Sequence, residues 1–217
     1  IELFLMDAYF SKALNERKKN GLYRTLKNYN SLVDFSSNDY LGIANKSKSG
    51  STGSRLISGN SSLLEELEND FSKKLNAEAA LYYNAGYLAN IGLIPTIANR
   101  FTTVLSDELI HASLIDGIRL SYAKKYSFKH NDYNDLERLL KSNNGRKIII
   151  AETVYSMDGD SPDLKLLFDL ISKFEDTYIV LDEAHGLGLS GENNLGTAQS
   201  FINHPSCLAV VYPLGKA

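Results

Sequence analysis

The chain has 217 residues, of which 43% are hydrophobic and 23% charged, and its formal net charge is −3. This composition is typical of a globular protein with a substantial core. Because lysines and arginines are scattered and the net charge is negative, we expect no nucleic-acid partner. No apolar run approaches the roughly 20 residues of a membrane span, so we expect a cytoplasmic protein without a membrane partner. The single cysteine, Cys207, excludes an internal disulfide and any multi-cysteine metal site.

The first predicted element is an amphipathic helix over residues 2–19, followed by a polar connector. Residues 45–62 are rich in Ser, Gly, Asn and Thr and predict a loop. A helix from Leu63 to about Leu75 is predicted because its apolar residues recur on one face. Strands are then predicted at 81–83, 103–105, 147–151, 178–181 and 208–212, and helices at 86–98, 111–123, 132–142 and 163–174.

The alternation of short apolar strands with helices indicates the α/β class. It predicts a largely parallel sheet with helices on both faces. Ligands bind such sheets at the carboxyl ends of the strands. We therefore expect the chemistry in the residues that directly follow each strand.

Two motifs near the fourth of these strands suggest nucleotide chemistry, and both fail on their context. Asp182–His185 spells the tetrapeptide of DEAH-box helicases, but the chain has no G-x-x-x-x-G-K-[ST] phosphate loop. Gly186–Gly191 matches the G-x-G-x-x-G pattern of dinucleotide sites. The stretch after it is rich in turn residues, so no helix start is predicted to meet a pyrophosphate. Neither activity is expected.

Four other features lie at predicted strand ends or helix starts. The helix start at Gly86 offers free backbone amides to an anion such as phosphate. His111 begins another helix, Asp182 and His185 follow one apolar strand, and Lys216 follows the last strand. Singly, each fits a structural role: a helix start, a packing histidine, a hydrogen-bonded pair, a surface lysine. Together they match the parts of a pyridoxal-phosphate (PLP) site, namely a phosphate anchor, a ring stacker, an acid for the pyridine nitrogen and a Schiff-base lysine. No metal is expected.

Six segments in collinear order resemble the α-oxoamine synthases, PLP enzymes of the aspartate-aminotransferase fold. They are Phe35–Gly42, Gly53–Asn60, Asp107–Gly117, Val154–Asp160, Leu181–Gly186 and Leu214–Ala217. The resemblance implies fold type I of the PLP-dependent transferases. It also implies an N-terminal helix and connector over residues 1–35 and a large PLP-binding domain over residues 36–217. On this interpretation, that domain is incomplete at its C-terminal end and the small C-terminal domain is missing.

The resemblance further implies roles for individual residues. Lys216 would bind the aldehyde of the cofactor and remove the Cα proton of an amino acid. His111 would stack on the cofactor ring, and Asp182 would pair with the pyridine nitrogen. Further cofactor contacts are expected from Gly86, Tyr87, Ser156 and His185, and substrate contacts from Arg24, Asn38 and His111. Glu152 occupies a matching acidic position without an assigned role.

Within the family, Gly53–Asn60 resembles the biotin-pathway branch. That branch condenses L-alanine with a pimeloyl thioester, from CoA or a carrier protein, to give 8-amino-7-oxononanoate and CO₂. The resemblance implies a homodimer and an acyltransferase that needs the missing C-terminal part, so this chain alone is expected to be inactive. Two alternatives stay open. One is another α-oxoamine synthase, using glycine or serine with a different acyl-CoA. The other is a non-catalytic PLP-binding paralogue, because Pro213 replaces the family's phosphate-binding threonine.

Overall fold

The computed structural model describes residues 2–27, 50–51 and 53–216. They fall into two compact units, one built mainly from the described part of residues 7–74 and one mainly from residues 83–216. The predicted boundary between residues 35 and 36 lies outside the described residues, so that division stays a prediction. Within the described ranges, no helix combines the length and the apolar character that crossing a membrane requires.

Two helices precede the sheet along the chain, and both were predicted. They are α1 (Glu2–Lys19) and α2 (Ser62–Leu75). The loop before α2 is held by Arg55, whose guanidinium pairs with both carboxylate oxygens of Glu68. This fork geometry fixes the loop more firmly than a single hydrogen bond would.

The unit that follows them is a five-stranded sheet with helices between its strands. The strands are β1 (Thr103–Asp107), β2 (Lys124–Phe128), β3 (Lys147–Glu152), β4 (Thr177–Asp182) and β5 (Cys207–Val211), and the helices are α3 (Gly86–Ile97), α4 (Ala112–Ser121), α5 (Tyr133–Ser142) and α6 (Leu164–Ile171). The strand order is β2-β1-β3-β4-β5, and every neighbouring pair is parallel. The predicted parallel sheet is confirmed.

The three central strands are buried along their whole length, which explains their continuous apolar sequences. Leu105, Ile149 and Ile179 belong to a core that includes α5 and α6. The alternating residues Val104 and Ile148 are fully buried as well. Because successive side chains point to opposite faces, both faces of the sheet are covered.

Two details of the predicted elements are wrong. Residues 81–83 form no strand; they are exposed, and the backbone N–H of Tyr82 donates to Glu68. The strand β2 was not predicted because its sequence, Lys-Lys-Tyr-Ser-Phe, has no apolar run. It lies at the edge of the sheet and is exposed except at Phe128. Edge strands commonly carry lysines.

Candidate active site

The carboxyl ends of the strands bring acidic side chains to one edge of the sheet. β1 ends at Asp107, β3 at Glu152 and β4 at Asp182, and all three side chains are buried. Glu152 and Asp182 lie directly opposite each other in the register of β3 and β4. The predicted site residues of this unit follow the same strand ends or begin the helices beside them.

Asp182 is held by hydrogen bonds to both of its carboxylate oxygens. Oδ1 accepts from the backbone N–H of Ala184 at 2.9 Å, and Oδ2 accepts from Asn90 Nδ2 at 2.8 Å. The side chain is only 4% exposed. A buried carboxylate with donors on both oxygens is fixed in orientation, and each oxygen keeps a lone pair for a further partner.

Lys216 reaches the same strand end through His185. Its Nζ lies 2.8 Å from His185 Nε2. Burial lowers the pKa of His185, and the positive charge of Lys216 lowers it further. The imidazole is therefore neutral near pH 7 and accepts a hydrogen bond from the ammonium group. This contact joins two residues that are 31 positions apart in the sequence.

Glu183 stabilises the turn that follows β4, and it was not predicted as a site residue. It is fully buried, and it accepts hydrogen bonds from Thr153 Oγ1 at 2.7 Å and from the backbone N–H of Ala198 at 2.9 Å. Its own backbone N–H donates to Val211 O, which ties the end of β4 to the end of β5. Gly186 is required here because a Cβ would lie 1.7 Å from a Glu183 carboxylate oxygen.

His111 caps the N-terminus of α4. Its Nδ1 accepts from the backbone N–H of Ser113 at 3.2 Å and lies 2.8 Å from Ser113 Oγ. Its backbone N–H donates to Glu152. The imidazole is exposed, and the ring of Tyr87 faces it edge-on with the centroids 6.3 Å apart. The cap fixes the ring while leaving part of its surface open.

Glu152 has a strongly perturbed carboxyl group. Burial raises its pKa to about 7, against the hydrogen bond from His111, and the nearby charge of Asp182 raises it further. A group that titrates near neutral pH can gain or lose a proton at little cost. The sequence marked this position but gave it no role.

The start of α3 brings Gly86 and Tyr87 to the same region. A Cβ on Gly86 would lie 2.7 Å from Pro213 Cγ, so glycine permits the close approach of the segment that leads to Lys216. The Tyr87 hydroxyl donates to the Asp116 carboxylate, which also binds Arg119. The start of α3 therefore lies next to Pro213.

The other predicted site residues are Ser156, Arg24 and Asn38. Ser156 lies in an exposed turn beyond β3. Arg24 lies in an exposed segment of the other unit, after α1. Asn38 lies outside the described residues. Their predicted roles stay predictions.

Two further residues were missed by the sequence analysis. Asn90 is a buried polar residue in α3, whose sequence is otherwise almost entirely apolar. That isolation was a usable signal, because buried polar groups need partners. Ser113 is buried behind His111, and nothing in the sequence distinguishes it from other serines.

PLP needs an amine for its aldehyde, an acid for its ring nitrogen, a surface for the ring and donors for its phosphate. The cluster provides an exposed lysine amine beside a neutral imidazole, a fixed buried carboxylate, an exposed capped imidazole and a helix N-terminus. The buried oxygen Asn90 Oδ1 has no hydrogen-bond partner among the described residues. The side-chain amide that donates to Asp182 can therefore still accept a hydrogen bond. The donor set fits PLP.

Comparison with known proteins gives the same indication. Residues 30–217 match the family described as aminotransferase class I and II. A Haemophilus influenzae protein named "Putative 8-amino-7-oxononanoate synthase" is 41% identical over 197 residues, which cover 82% of this chain and 52% of that protein. The chain thus spans about half the length of the curated relatives it matches.

Solved structures of related enzymes share the fold. A structure of serine palmitoyltransferase (SPT) with PLP matches with a TM-score of 0.67 and 32% identity, covering 72% of this chain and 40% of that one. An 8-amino-7-oxononanoate synthase from Francisella tularensis matches with a TM-score of 0.65 and 31% identity, covering 87% and 56%. The predicted α/β fold of PLP-dependent transferases is confirmed, and the chain belongs to the aminotransferase class I and II family.

Proposed function

We propose that the whole protein is a PLP-dependent α-oxoamine synthase that joins L-alanine to a pimeloyl thioester in biotin biosynthesis. The products are 8-amino-7-oxononanoate, CO₂ and free CoA or carrier protein. One observation carries the proposal: Lys216 Nζ lies 2.8 Å from His185 Nε2, beside the buried Asp182 at the end of β4. The 41% identity to a protein named for this reaction supports the choice of substrates. The active form is a cytoplasmic homodimer of the whole protein.

Bound PLP supplies an electron sink for negative charge at the Cα of an amino acid. Lys216 would offer the amine for the cofactor aldehyde. Asp182, with both oxygens held by donors, would pair with the pyridine nitrogen and keep it protonated. His111 would hold the ring, and the backbone amides that start α3 at Gly86 would hold the phosphate.

Lys216 also removes the Cα proton of L-alanine. An amine accepts a proton only in its neutral form, so the groups around Lys216 affect its activity as a base. His185 accepts a hydrogen bond from Nζ and holds that atom in place, because burial keeps the imidazole neutral. Glu152, with a pKa of about 7, interacts electrostatically with both Asp182 and Lys216.

Two alternatives have specific support. The match to SPT at 32% identity favours an α-oxoamine synthase with a different amino acid and acyl-CoA. The other alternative, a PLP-binding paralogue without turnover, is favoured by Pro213. Its ring packs against Gly86, and proline has neither a hydroxyl nor an N–H to offer a phosphate.

The first experiment uses the full-length protein with PLP. Its visible absorption spectrum is recorded, the sample is reduced with borohydride, and the modified peptide is identified by mass spectrometry. A pyridoxyl group on Lys216 supports the cofactor site, whereas modification of another lysine, or none, overturns it. Product analysis with alanine, glycine and serine, each paired with pimeloyl-CoA and palmitoyl-CoA, then separates the synthases. A loaded protein that exchanges no Cα proton is the non-catalytic paralogue.

A further inference from the structure

A buried amide connects the two residues that face the ring in the proposed site. Asn90 Nδ2 lies 2.8 Å from Asp182 Oδ2 and 3.0 Å from Ser113 Oγ. Ser113 Oγ in turn lies 2.8 Å from His111 Nδ1. Asn90 and Ser113 are each only 1% exposed, so water does not compete for these contacts. The continuous chain runs from Asp182 through Asn90 and Ser113 to His111.

The direction of each hydrogen bond in this chain is determined. An amide nitrogen only donates, so Asn90 gives one proton to Asp182 and the other to Ser113 Oγ. The backbone N–H of Ser113 points at His111 Nδ1, 3.2 Å away, so Nδ1 accepts and carries no proton. The Ser113 hydroxyl therefore donates to the same nitrogen. His111 is held as the neutral tautomer with its proton on Nε2.

The orientation of the Asn90 amide is determined as well. If Oδ1 and Nδ2 exchanged places, a carbonyl oxygen would face the Asp182 carboxylate and would leave Asp182 Oδ2 without this donor. In the observed orientation Oδ1 is the buried atom without a partner among the described residues. An unsatisfied buried acceptor is costly, so the two donated bonds outweigh that cost.

We propose that Asn90 and Ser113 are positioning residues that set the hydrogen bonding of both groups next to the cofactor ring. Asn90 donates to Asp182 and orients it as an acceptor for the pyridine nitrogen. Through Ser113 it keeps Nδ1 of His111 an acceptor, so the ring presents its Nε2–H tautomer. This inference rests on the proposed function for its meaning, but the tautomer of His111 is a property of the protein without cofactor.

The test is ¹⁵N NMR of the histidine side chains in full-length protein without PLP. The expected result is one His111 tautomer, protonated on Nε2 and unprotonated on Nδ1. In Ser113→Ala, Nδ1 keeps only the backbone donor, so the tautomer ratio should shift by about fivefold. Ser113→Thr restores the hydroxyl and should restore the ratio. Asn90→Leu, which frees the Ser113 hydroxyl, should shift the ratio in the same direction as Ser113→Ala.

The matched control is Ser121→Ala, another buried serine of α4, whose hydroxyl bonds only to its own helix end. It should leave the His111 signals unchanged. A wild-type His111 protonated on Nδ1, or a Ser113→Ala spectrum identical to wild type, overturns the proposal. If Ser113→Ala fails to fold, Asn90→Leu supplies the same comparison with the wild-type spectrum, and an unchanged tautomer ratio there overturns the proposal.

The cofactor experiment separates this proposal from the proposed function. In PLP-loaded protein, Asn90→Leu should lower the pH at which the bound cofactor's ring nitrogen loses its proton, followed by absorption. If His111 has the expected tautomer but no PLP binds at Lys216, the hydrogen-bonded chain from Asp182 to His111 is supported and the proposed function is overturned. If PLP binds at Lys216 but its titration is unchanged in Asn90→Leu, the proposed function is supported and the role of the hydrogen-bonded chain is overturned.

Discussion

Two histidines near the same edge of the sheet have opposite surroundings. Both ring nitrogens of His130 face carboxylates: Nδ1 lies 2.9 Å from Asp107 and Nε2 lies 2.8 Å from Asp160. Burial lowers the pKa of His130, but the bonds to the two carboxylates outweigh it and the net shift is upward. His185 instead meets the cationic Lys216, and its pKa is lowered. His130 is bonded to two carboxylates, whereas His185 contacts the amine of Lys216.

The His130 cluster consists of His130, Asp107, Asn131 and Asp160, and its polar groups are hydrogen-bonded to one another. The candidate site instead keeps polar groups available to a ligand. Asn131 donates to Asp107 through its backbone and to Asp160 through its side chain, and the ring of Tyr155 meets His130 edge-on at 4.5 Å. His130, Asp158 and Asp160 have ligand atoms within 4.8 Å of one another. The contact between His130 Nε2 and Asp160 already explains two members of this grouping, and the third, Asp158, is exposed. We therefore expect the His130 cluster to govern stability and the Lys216 site to govern chemistry.

The largest expected effect is on chemistry, from Lys216→Ala in the full-length protein. It removes the amine that contacts His185, so borohydride should fix no pyridoxyl group on that peptide. The rate of Cα proton exchange with alanine should fall by roughly 10²–10⁴-fold, the usual contribution of a positioned base. The free energy of unfolding should not fall, because Lys216 is exposed. Lys165→Ala, which removes an exposed lysine paired with Asp169, should change neither measurement. Unimpaired exchange in Lys216→Ala would remove this lysine from the mechanism.

The opposite pattern is expected for Asp107→Asn. The new amide nitrogen would face a donor, either His130 Nδ1 or the backbone N–H of Asn131, and the buried charge pair would be lost. We expect a loss of about 2–4 kcal/mol in the free energy of unfolding, measured by urea denaturation. Asp158→Asn is the matched control, because that neighbouring carboxylate is exposed and should matter by less than about 0.5 kcal/mol. Equal stability of the two variants would contradict a structural role for the cluster.

A third prediction tests the contact between Gly86 and Pro213. In Gly86→Ala the new Cβ would overlap Pro213 Cγ. Overpacking of this kind costs about 1–3 kcal/mol, and it should weaken PLP binding because the displaced segment leads to Lys216. The double variant Gly86→Ala with Pro213→Ala removes the clashing atom and should recover PLP affinity, measured by fluorescence titration. Failure of the second substitution to rescue binding would show that the contact does not position the lysine.

The sequence predicted most of this architecture for a physical reason. Central strands such as Ile148–Ala151 are buried on both faces, so apolar runs mark them, and their order implies one reactive edge. The edge strand β2 was missed because an exposed strand needs no such run. Asp182, His185 and Lys216 were predicted because each directly follows an apolar strand.

The supporting residues were harder to predict than the reactive ones. The bond from Asn90 to Asp182 joins positions 92 apart, and that from Ser113 to His111 depends on a cap geometry that sequence patterns do not specify. The His130 cluster was not predicted either. Asp107, His130 and Asp160 are spread over three strand ends, and only the folded sheet brings them together.

The smallest expected effect is the pH dependence of stability, and it separates the two histidines by sign. The folded-state pKa of His130 is raised, so its contribution is complete below the unfolded pKa and is lost as the pH rises through the folded value. The folded-state pKa of His185 is lowered, so its contribution is present above the unfolded pKa, about 6.5, and is lost as the pH falls. Urea denaturation between about pH 5 and pH 8.5 should therefore show His130→Gln losing most stability, relative to wild type, at the acid end. The free energy of unfolding of His185→Gln, relative to wild type, should be highest at that same end. The reason is that the substitution removes a group whose protonation is disfavoured in the folded state. Two difference curves with the same slope would mean that folding shifts the pKa of both histidines in the same direction, and the contrast between the clusters would be lost.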